Sequence, residues 1–312
     1  MSVPDPDLRL GLGGAGLGNH RVALDDATAR AVLDEAWLRG IRLFDTAPHY
    51  GLGLSERRLG EFLAGRPRAG FEVSTKVGRR LVPVADPDGA LDDEGFVVPA
   101  DVRRVWDFSA AGIRQTLEAS LERLGLDHVD TVYLHDPERW NLQEALDQGL
   151  PALRGLQAEG LVRRVGVGSM DLDALVAAAG TGLVDELMVA GRYTLVDRRA
   201  EERLLPECAE AGVAIVAAAV FNGGLLAGSP SPASTYDYAQ VPADVLARAQ
   251  RLDDICRRAG VPLPAAALQF PLRRPLVRSV VVGAVDPAQV SANVRLLAAE
   301  VSDELWDEVA AG

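Results

Sequence analysis

Cysteine is almost missing from this 312-residue chain, which has only Cys208 and Cys256. Two thiols in a chain this long do not make a disulfide framework, and both fall in helical patterns as small apolar residues. No apolar run approaches the roughly 20 residues that a membrane span needs. The N-terminal MSVPDPDLRL is acidic and lacks the apolar core of a secretion signal. Excess positive charge is missing too. The net charge of −13 excludes a general binder of nucleic acid or anionic membrane, though not of a small anionic ligand held by local groups. Three of the four histidines, His49, His128 and His135, show no metal-ligand spacing such as H-x-x-x-H, so no metal is expected. There is no Gly/Ser linker and no break in composition. Together these absences leave a reduced, cytoplasmic globular protein with one domain over 1–312.

What is present is alternation. Short apolar runs, Leu8–Leu12, Ile41–Phe44, Phe71–Lys76, Val129–Leu134, Val162–Val167, Val184–Val189, Val213–Val220 and Ser279–Gly283, are separated by stretches of helical period. Gly40, Gly125, Gly160, Gly180 and Gly212 fall near the predicted helix ends. Alternating β and α implies a parallel sheet, and eight such units predict an α/β (β/α)8 TIM barrel. An open Rossmann-like sheet in two domains is the second choice. A barrel collects its functional residues at the carboxyl ends of its strands. Asp45, Tyr50, Lys76, His135, Ser169, Tyr193, Phe221 and Gly283 all fall there.

GLGGAG at 11–16 has the G-x-G-x-x-G spacing of a dinucleotide loop, but the context is wrong. That loop should run straight into a helix whose N-terminus meets the pyrophosphate. Here Leu17-Gly18-Asn19-His20-Arg21 follows, and the next helical pattern starts near Asp25. The stretch reads as a flexible turn, with the phosphate site elsewhere.

Four segments carry the chemistry: FDTAPHYGLGLSERRLG at 44–60, VSTKVG at 73–78, VYLHD at 132–136 and VVVGAVDPAQVSANV at 280–294. In these the chain resembles the aldo-keto reductase family, in order and over nearly its whole length. The resemblance implies hydride transfer between a nicotinamide and a carbonyl or alcohol carbon. It implies Tyr50 as proton donor and acceptor, Lys76 as the ammonium beside it, Asp45 as the carboxylate holding that lysine, and His135 as the imidazole at the substrate oxygen. The chemistry is consistent. A free tyrosine has a pKa of about 10, and a nearby ammonium favours its phenolate. Taken singly, each residue also has a bland reading: an ion pair, a loop tyrosine, a core histidine.

The resemblance also implies cofactor contacts: Ser169 at the carboxamide, Phe221, Asn222 and Gly223 in the segment that closes over the pyrophosphate, and Gly283, Asp286, Gln289 and Asn293 at the adenosine end. Pro287 suits a first helical position there. The chain departs from the family pattern where basic residues usually grip the 2′-phosphate of NADP. It carries Gly283 and Gln289 with Asp286 between them, which favours NAD over NADP unless Arg295 or Arg278 substitutes. A usual Ser-Asn pair reads Gly168-Ser169, a usual glutamine aligns with Ala190, and the tyrosine that stacks on the nicotinamide aligns with Ala218. Phe221 or Tyr193 is the expected replacement.

AGRYTLVD at 190–197 and AVFNGGLLA at 219–227 resemble the branch of the family that contains L-fucose (D-threo-aldose) dehydrogenases and pyridoxal 4-dehydrogenases. That implies oxidation of a cyclic hemiacetal to a lactone, on a small sugar or aldehyde. The segment 79–108 is too long for an ordinary βα loop and is expected to cover the substrate pocket, with Trp106, Phe108 and Tyr193 as substrate contacts; a solvent-exposed insertion is the alternative. A broad NADPH-dependent aldehyde reductase and a non-catalytic nucleotide-sensing subunit are the other functional readings. The sequence carries no signal for oligomeric state.

Overall fold

The computed structural model describes residues 8–87, 89–237 and 239–311. The acidic N-terminal stretch 1–7 lies outside them. Twelve strands occur in chain order: β1 (Leu10–Gly13), β2 (Leu43–Asp45), β3 (Glu72–Val77), β4 (Arg79–Pro83), β5 (Val102–Trp106), β6 (Val129–His135), β7 (Val162–Ser169), β8 (Glu186–Ala190), β9 (Ala214–Ala218), β10 (Thr235–Tyr236), β11 (Ala239–Gln240) and β12 (Val277–Gly283). Eight of these close into a barrel in the order β1-β12-β9-β8-β7-β6-β3-β2, all parallel. The eight predicted strands are these eight, and the open two-domain sheet is excluded.

The helices are α1 (Asp26–Leu38), α2 (Leu54–Leu63), α3 (Ala110–Leu124), α4 (Leu142–Glu144), α5 (Leu150–Ala158), α6 (Leu172–Gly180), α7 (Leu204–Ala211), α8 (Ala243–Arg258), α9 (Leu263–Gln269), α10 (Pro287–Leu297) and α11 (Asp303–Ala311). Caps set their starts: Asp25 accepts from Thr28 N, Ser109 from Gly112 N, and Asp171 from Ala174 N. Gly180 is the last residue of α6, as expected near a helix end, and the left-handed residue just beyond it is Gly182. No helix among the described residues is long and apolar enough to cross a membrane.

Two apolar layers hold the barrel. One lies between strands and helices, with Phe44, Val73, Val132, Val165, Leu187 and Ile215 among its members. The other is smaller, with Tyr133, Met188, Val216 and Val281, and occupies the inward phase of the strands. An ionic plug lies near the strand starts. Buried Glu186 accepts from the Tyr133 hydroxyl, and its Oε2 lies 3.0 Å from Arg278 Nε and 3.3 Å from Arg164 Nε.

The glycine-rich stretch does not run into a helix, and it is packed against its neighbours. Gly16, Leu17 and Gly18 form a buried 3-10 turn against the next barrel loop. A Cβ on Gly14 would meet the Asp45 carbonyl at 2.7 Å, and one on Gly18 would meet the Tyr50 backbone at 2.5 Å. These glycines let the first loop lie directly on the loop after β2. Gly18→Ala is therefore expected to lose about 1–3 kcal/mol of stability, as overpacking does. Gly155→Ala, inside α5 with open space around the new methyl, is expected to gain about 0.5–1 kcal/mol. Urea midpoints read both; equal signs would refute the packing account.

Candidate active site

Strand alternation does the first positioning. Asp45 shares the inward phase of β2 with Leu43, Lys76 that of β3 with Ser74, and His135 that of β6 with Tyr133. Lys76 Nζ donates to Asp45 Oδ2 at 2.7 Å and to the Thr46 carbonyl at 3.0 Å, and Ser74 Oγ donates to Asp45 Oδ1 at 2.7 Å. Lys76 and Asp45 are buried. Lys76 is also hydrogen-bonded to the Tyr50 phenol, and its Nζ lies 4.7 Å from the ring centre. Burial alone would push the ammonium down, but Asp45 first and Tyr50 next outweigh it and hold Lys76 above its ordinary value. The His135 ring stands edge-on to Tyr50, 6.0 Å between centres. Four residues from three strand ends and one loop thus meet on one rim.

The loop that carries Tyr50 is anchored by its neighbours in sequence. Ser55 Oγ donates to the Gly14 carbonyl at 2.7 Å and lies 2.8 Å from Thr46 Oγ1. Glu56 is fully buried at the start of α2. It accepts from Thr75 Oγ1 at 2.8 Å and from Arg123 Nε at 2.7 Å, tying that helix to β3 and α3. The Ser-Glu pair of the sequence pattern is a fastening.

Two imidazoles face each other at the rim, His49 and His135, with ring centres 5.4 Å apart. Burial, then Arg79 and Lys76, hold His135 well below its ordinary value. Burial, then Arg79 and Arg104, lower His49 to about 2. Both are neutral at physiological pH. Arg79, from β4, contacts His49 Nδ1 at 3.4 Å and forms an ion pair with Asp136, the residue after His135. Arg104, from β5, donates to the His49 carbonyl at 2.9 Å and pairs with Asp92.

A cavity of about 270 Å³ opens among the ends of β7, β8, β9 and β12, lined by His20, Met170, Gly191, Phe221, Asn222, Gly283 and their neighbours. Of the expected cofactor residues, Phe221, Asn222, Gly223 and Gly283 line it. Asn222 is buried, and its Nδ2 donates to the Gly191 carbonyl at 3.1 Å. A carbonyl can only accept, so the amide orientation is fixed and Oδ1 is left buried without a partner. That acceptor suits an N–H of a planar amide. Ser169 is otherwise occupied: its hydroxyl donates to Glu138 Oε1 at 2.8 Å and accepts from Asp171 N at 2.8 Å. Asp286 is the N-cap of α10 and accepts from Ala288 N, while Gln289 Oε1 accepts from Val285 N at 2.9 Å. Asn293 is buried further along α10, one turn beyond Gln289. Arg278 cannot reach the adenosine end, because it sits in the ionic plug with Glu72 and Glu186.

The segment 79–108 is built as a β4–β5 hairpin, Arg79 opposite Trp106, whose loop folds back over the rim. Of the three expected substrate contacts, Phe108 and Tyr193 are buried in the core, and Trp106 is half-buried on the hairpin. Trp106 lies under the Arg79 guanidinium at 4.5 Å and stacks on Phe108. Phe108 is buried against Gly78. Tyr193 is buried against Phe270 with its hydroxyl bonded to Arg274, so it faces neither substrate nor nicotinamide. The aromatic beside Tyr50 is instead Phe96, stacked at 6.1 Å and set edge-on to His49 at 5.1 Å.

The family model for the aldo/keto reductase family matches residues 9–311. The chain belongs to the aldo/keto reductase family. As a member it is an oxidoreductase with the family's closed barrel. It is 53% identical over 304 residues to a D-threo-aldose 1-dehydrogenase of a Pseudomonas species, covering 96% of this chain and 92% of that protein. It is 38% identical to the pyridoxal 4-dehydrogenase of Microbacterium luteolum, covering 95% and 91%. Among solved structures, the holo form of aldo-keto reductase AKR11C1 from Bacillus halodurans superposes with a TM-score of 0.77 at 29% identity, covering 97% of this chain and 91% of that one.

Sequence reasoning missed several residues of this aldo/keto reductase rim. His49 and Asp136 stood beside two named residues and gave a signal of adjacency. Arg79, Glu94 and Phe96 come from a hairpin without helical period and gave none. Lys76→Met would leave the buried Asp45 carboxylate unpaired, with an expected loss of about 3–5 kcal/mol. Adding Asp45→Asn should restore most of the stability. Denaturant titration checks both; an undiminished Lys76→Met would show the pair is not needed for folding.

Proposed function

We propose that this protein oxidises the hemiacetal carbon of an aldose of the L-fucose or D-threo type to its lactone, with NAD as the favoured hydride acceptor. The observation that carries the reading is the buried Lys76 ammonium bonded to both Asp45 and the Tyr50 phenol beside His135. A nicotinamide, when bound, takes up the hydride that leaves the anomeric carbon. Tyr50 takes the proton of the anomeric hydroxyl, the Lys76 cation favours the phenolate that receives it, and Asp45 keeps that cation in place. His135, neutral, donates to the same oxygen and orients it.

The sugar reading draws support from the rim's make-up and from the relatives. Hydroxyl-rich rings suit polar groups with one apolar face, and the rim offers His49, Asp136 and Glu94 beside Phe96. A pyridine aldehyde suits more aromatic enclosure than a single phenylalanine. A purely nucleotide-sensing role would not need the tetrad kept whole.

For the cofactor, the unpartnered Asn222 Oδ1 suits the carboxamide amide, in place of Ser169. Phe221 is the candidate stacking residue. The adenosine end carries acid: Asp286 caps α10, and Glu35 accepts from Ser291 one turn on. A 2′-phosphate would meet these carboxylates, so NADH should bind at least tenfold tighter than NADPH, about 1.4 kcal/mol.

The deciding experiment is a panel of aldoses and pyridoxal with NAD and NADP, beside Tyr50→Phe. The expected result is aldose oxidation with NAD that rises toward alkaline pH. Tyr50→Phe should lower kcat by about 10²–10⁴ while the Kd for NADH, from fluorescence quenching, changes little. Pyridoxal oxidised in preference to every aldose would overturn the substrate assignment, and tighter NADPH binding the cofactor assignment.

A further inference from the structure

Asp136 carries a carboxylate that takes no part in the proton transfer proposed above. It directly follows His135, with its backbone at φ 44, in the left-handed region that aspartate tolerates better than most residues. Its Oδ2 lies 3.9 Å from His135 Nε2. The same oxygen is the partner of Arg79 Nη2. Arg79 is only 3% exposed and is boxed in on several sides: Trp106 lies against its guanidinium, Glu94 is 3.7 Å from Nη1, and His49 Nδ1 accepts at 3.4 Å. Two cationic or potentially cationic groups therefore compete for one half-buried carboxylate oxygen, and Arg79 holds it.

We propose that Arg79 is a positioning residue: by engaging Oδ2 of Asp136 it keeps that carboxylate from His135, so the imidazole stays a neutral donor instead of an imidazolium locked onto its own neighbour. The groups facing His135 are Lys76 from β3, Arg79 from β4, His49 and Tyr50 from the loop after β2, and Asp136 and Arg139 from its own loop. All the cations among them oppose protonation, and Asp136 favours it. Removing Arg79 subtracts one opposing cation and unmasks the anion, two changes of the same sign. Asp136 and His135 would then share one proton near neutral pH. An imidazolium bound to Asp136 turns its donor away from the substrate oxygen.

The inference rests on the reading of His135 as donor to the substrate oxygen, but the charge state can be read without a substrate. The chain has four histidines, so the His135 ring signals are assignable in NMR spectra by their loss in His135→Asn. In the wild-type protein the His135 signal should not titrate between about pH 5 and 8. In Arg79→Met it should titrate inside that window. In Arg79→Met/Asp136→Asn it should fall silent again, and in Arg79→Lys the midpoint should lie below that of Arg79→Met. With an oxidised aldose in hand, kcat/KM of Arg79→Met should gain a limb that rises with pH through the same midpoint, absent from the double variant. A silent His135 in folded Arg79→Met, or a double variant that titrates like the single, overturns the proposal. If no substrate is oxidised, the functional reading fails while the NMR result still decides this one.

Discussion

The architecture of the rim depends on one buried ion pair, Lys76 with Asp45. A cation and an anion that are each almost wholly out of water are tolerable only together, and only when their remaining hydrogen-bonding capacity is met. Here it is met: Ser74 supplies the second carboxylate oxygen, the Thr46 carbonyl takes another ammonium proton, and the Tyr50 phenol receives a third. The phenol is thus part of the solution to a desolvation problem that the barrel itself creates. Moving Tyr50 away would leave an ammonium proton without its acceptor, so folding and chemistry call for the same geometry.

Lys76 is the sole lysine in the chain, and every other basic side chain among the 32 is arginine. Arginine serves the other ion pairs, where a planar fork grips carboxylates such as Asp92 and Asp197. At the centre a fork would be a poor fit. Three acceptors converge on one atom from different directions, which suits a compact ammonium with three rotatable protons. A composition that otherwise avoids lysine retains it where its geometry has no substitute.

The barrel was legible because its signals are local and repeated. Each strand run and each helical period is read over ten residues or so, and eight repetitions leave little room for another topology. The four residues proposed to carry the chemistry were legible because three end strands, one follows in the next loop, and all lie within distinctive flanks. Phe108 and Tyr193 misled because an aromatic side chain near a strand end can serve the core as well as a pocket. Tyr193 packs on Phe270, and Phe108 fills the space beside Gly78. Only the hairpin's fold decides which aromatic faces the rim, and that fold rests on pairing between residues 19 to 27 positions apart, from Pro83 with Val102 to Arg79 with Trp106. The GLGGAG stretch misled for a related reason. Glycine serves any close approach of backbones, and here the approach is between the first loop and Tyr50.

The charges of the rim follow a further rule. Lys76 has Asp45, Arg79 has Asp136, and Arg104 has Asp92, while Glu94 lies within 3.7 Å of both arginines. Each of these three cations meets a carboxylate from outside its own strand. Such pairing fixes the hairpin over the barrel mouth and holds the local charge near balance in a chain that is strongly acidic overall. Balance matters most for the two imidazoles. With every nearby carboxylate already claimed, neither His49 nor His135 has an anion free to stabilise its protonated form, and both remain hydrogen-bonding groups without charge. The hairpin that sequence patterning could not resolve is therefore what sets the electrostatic state of the residues that it could.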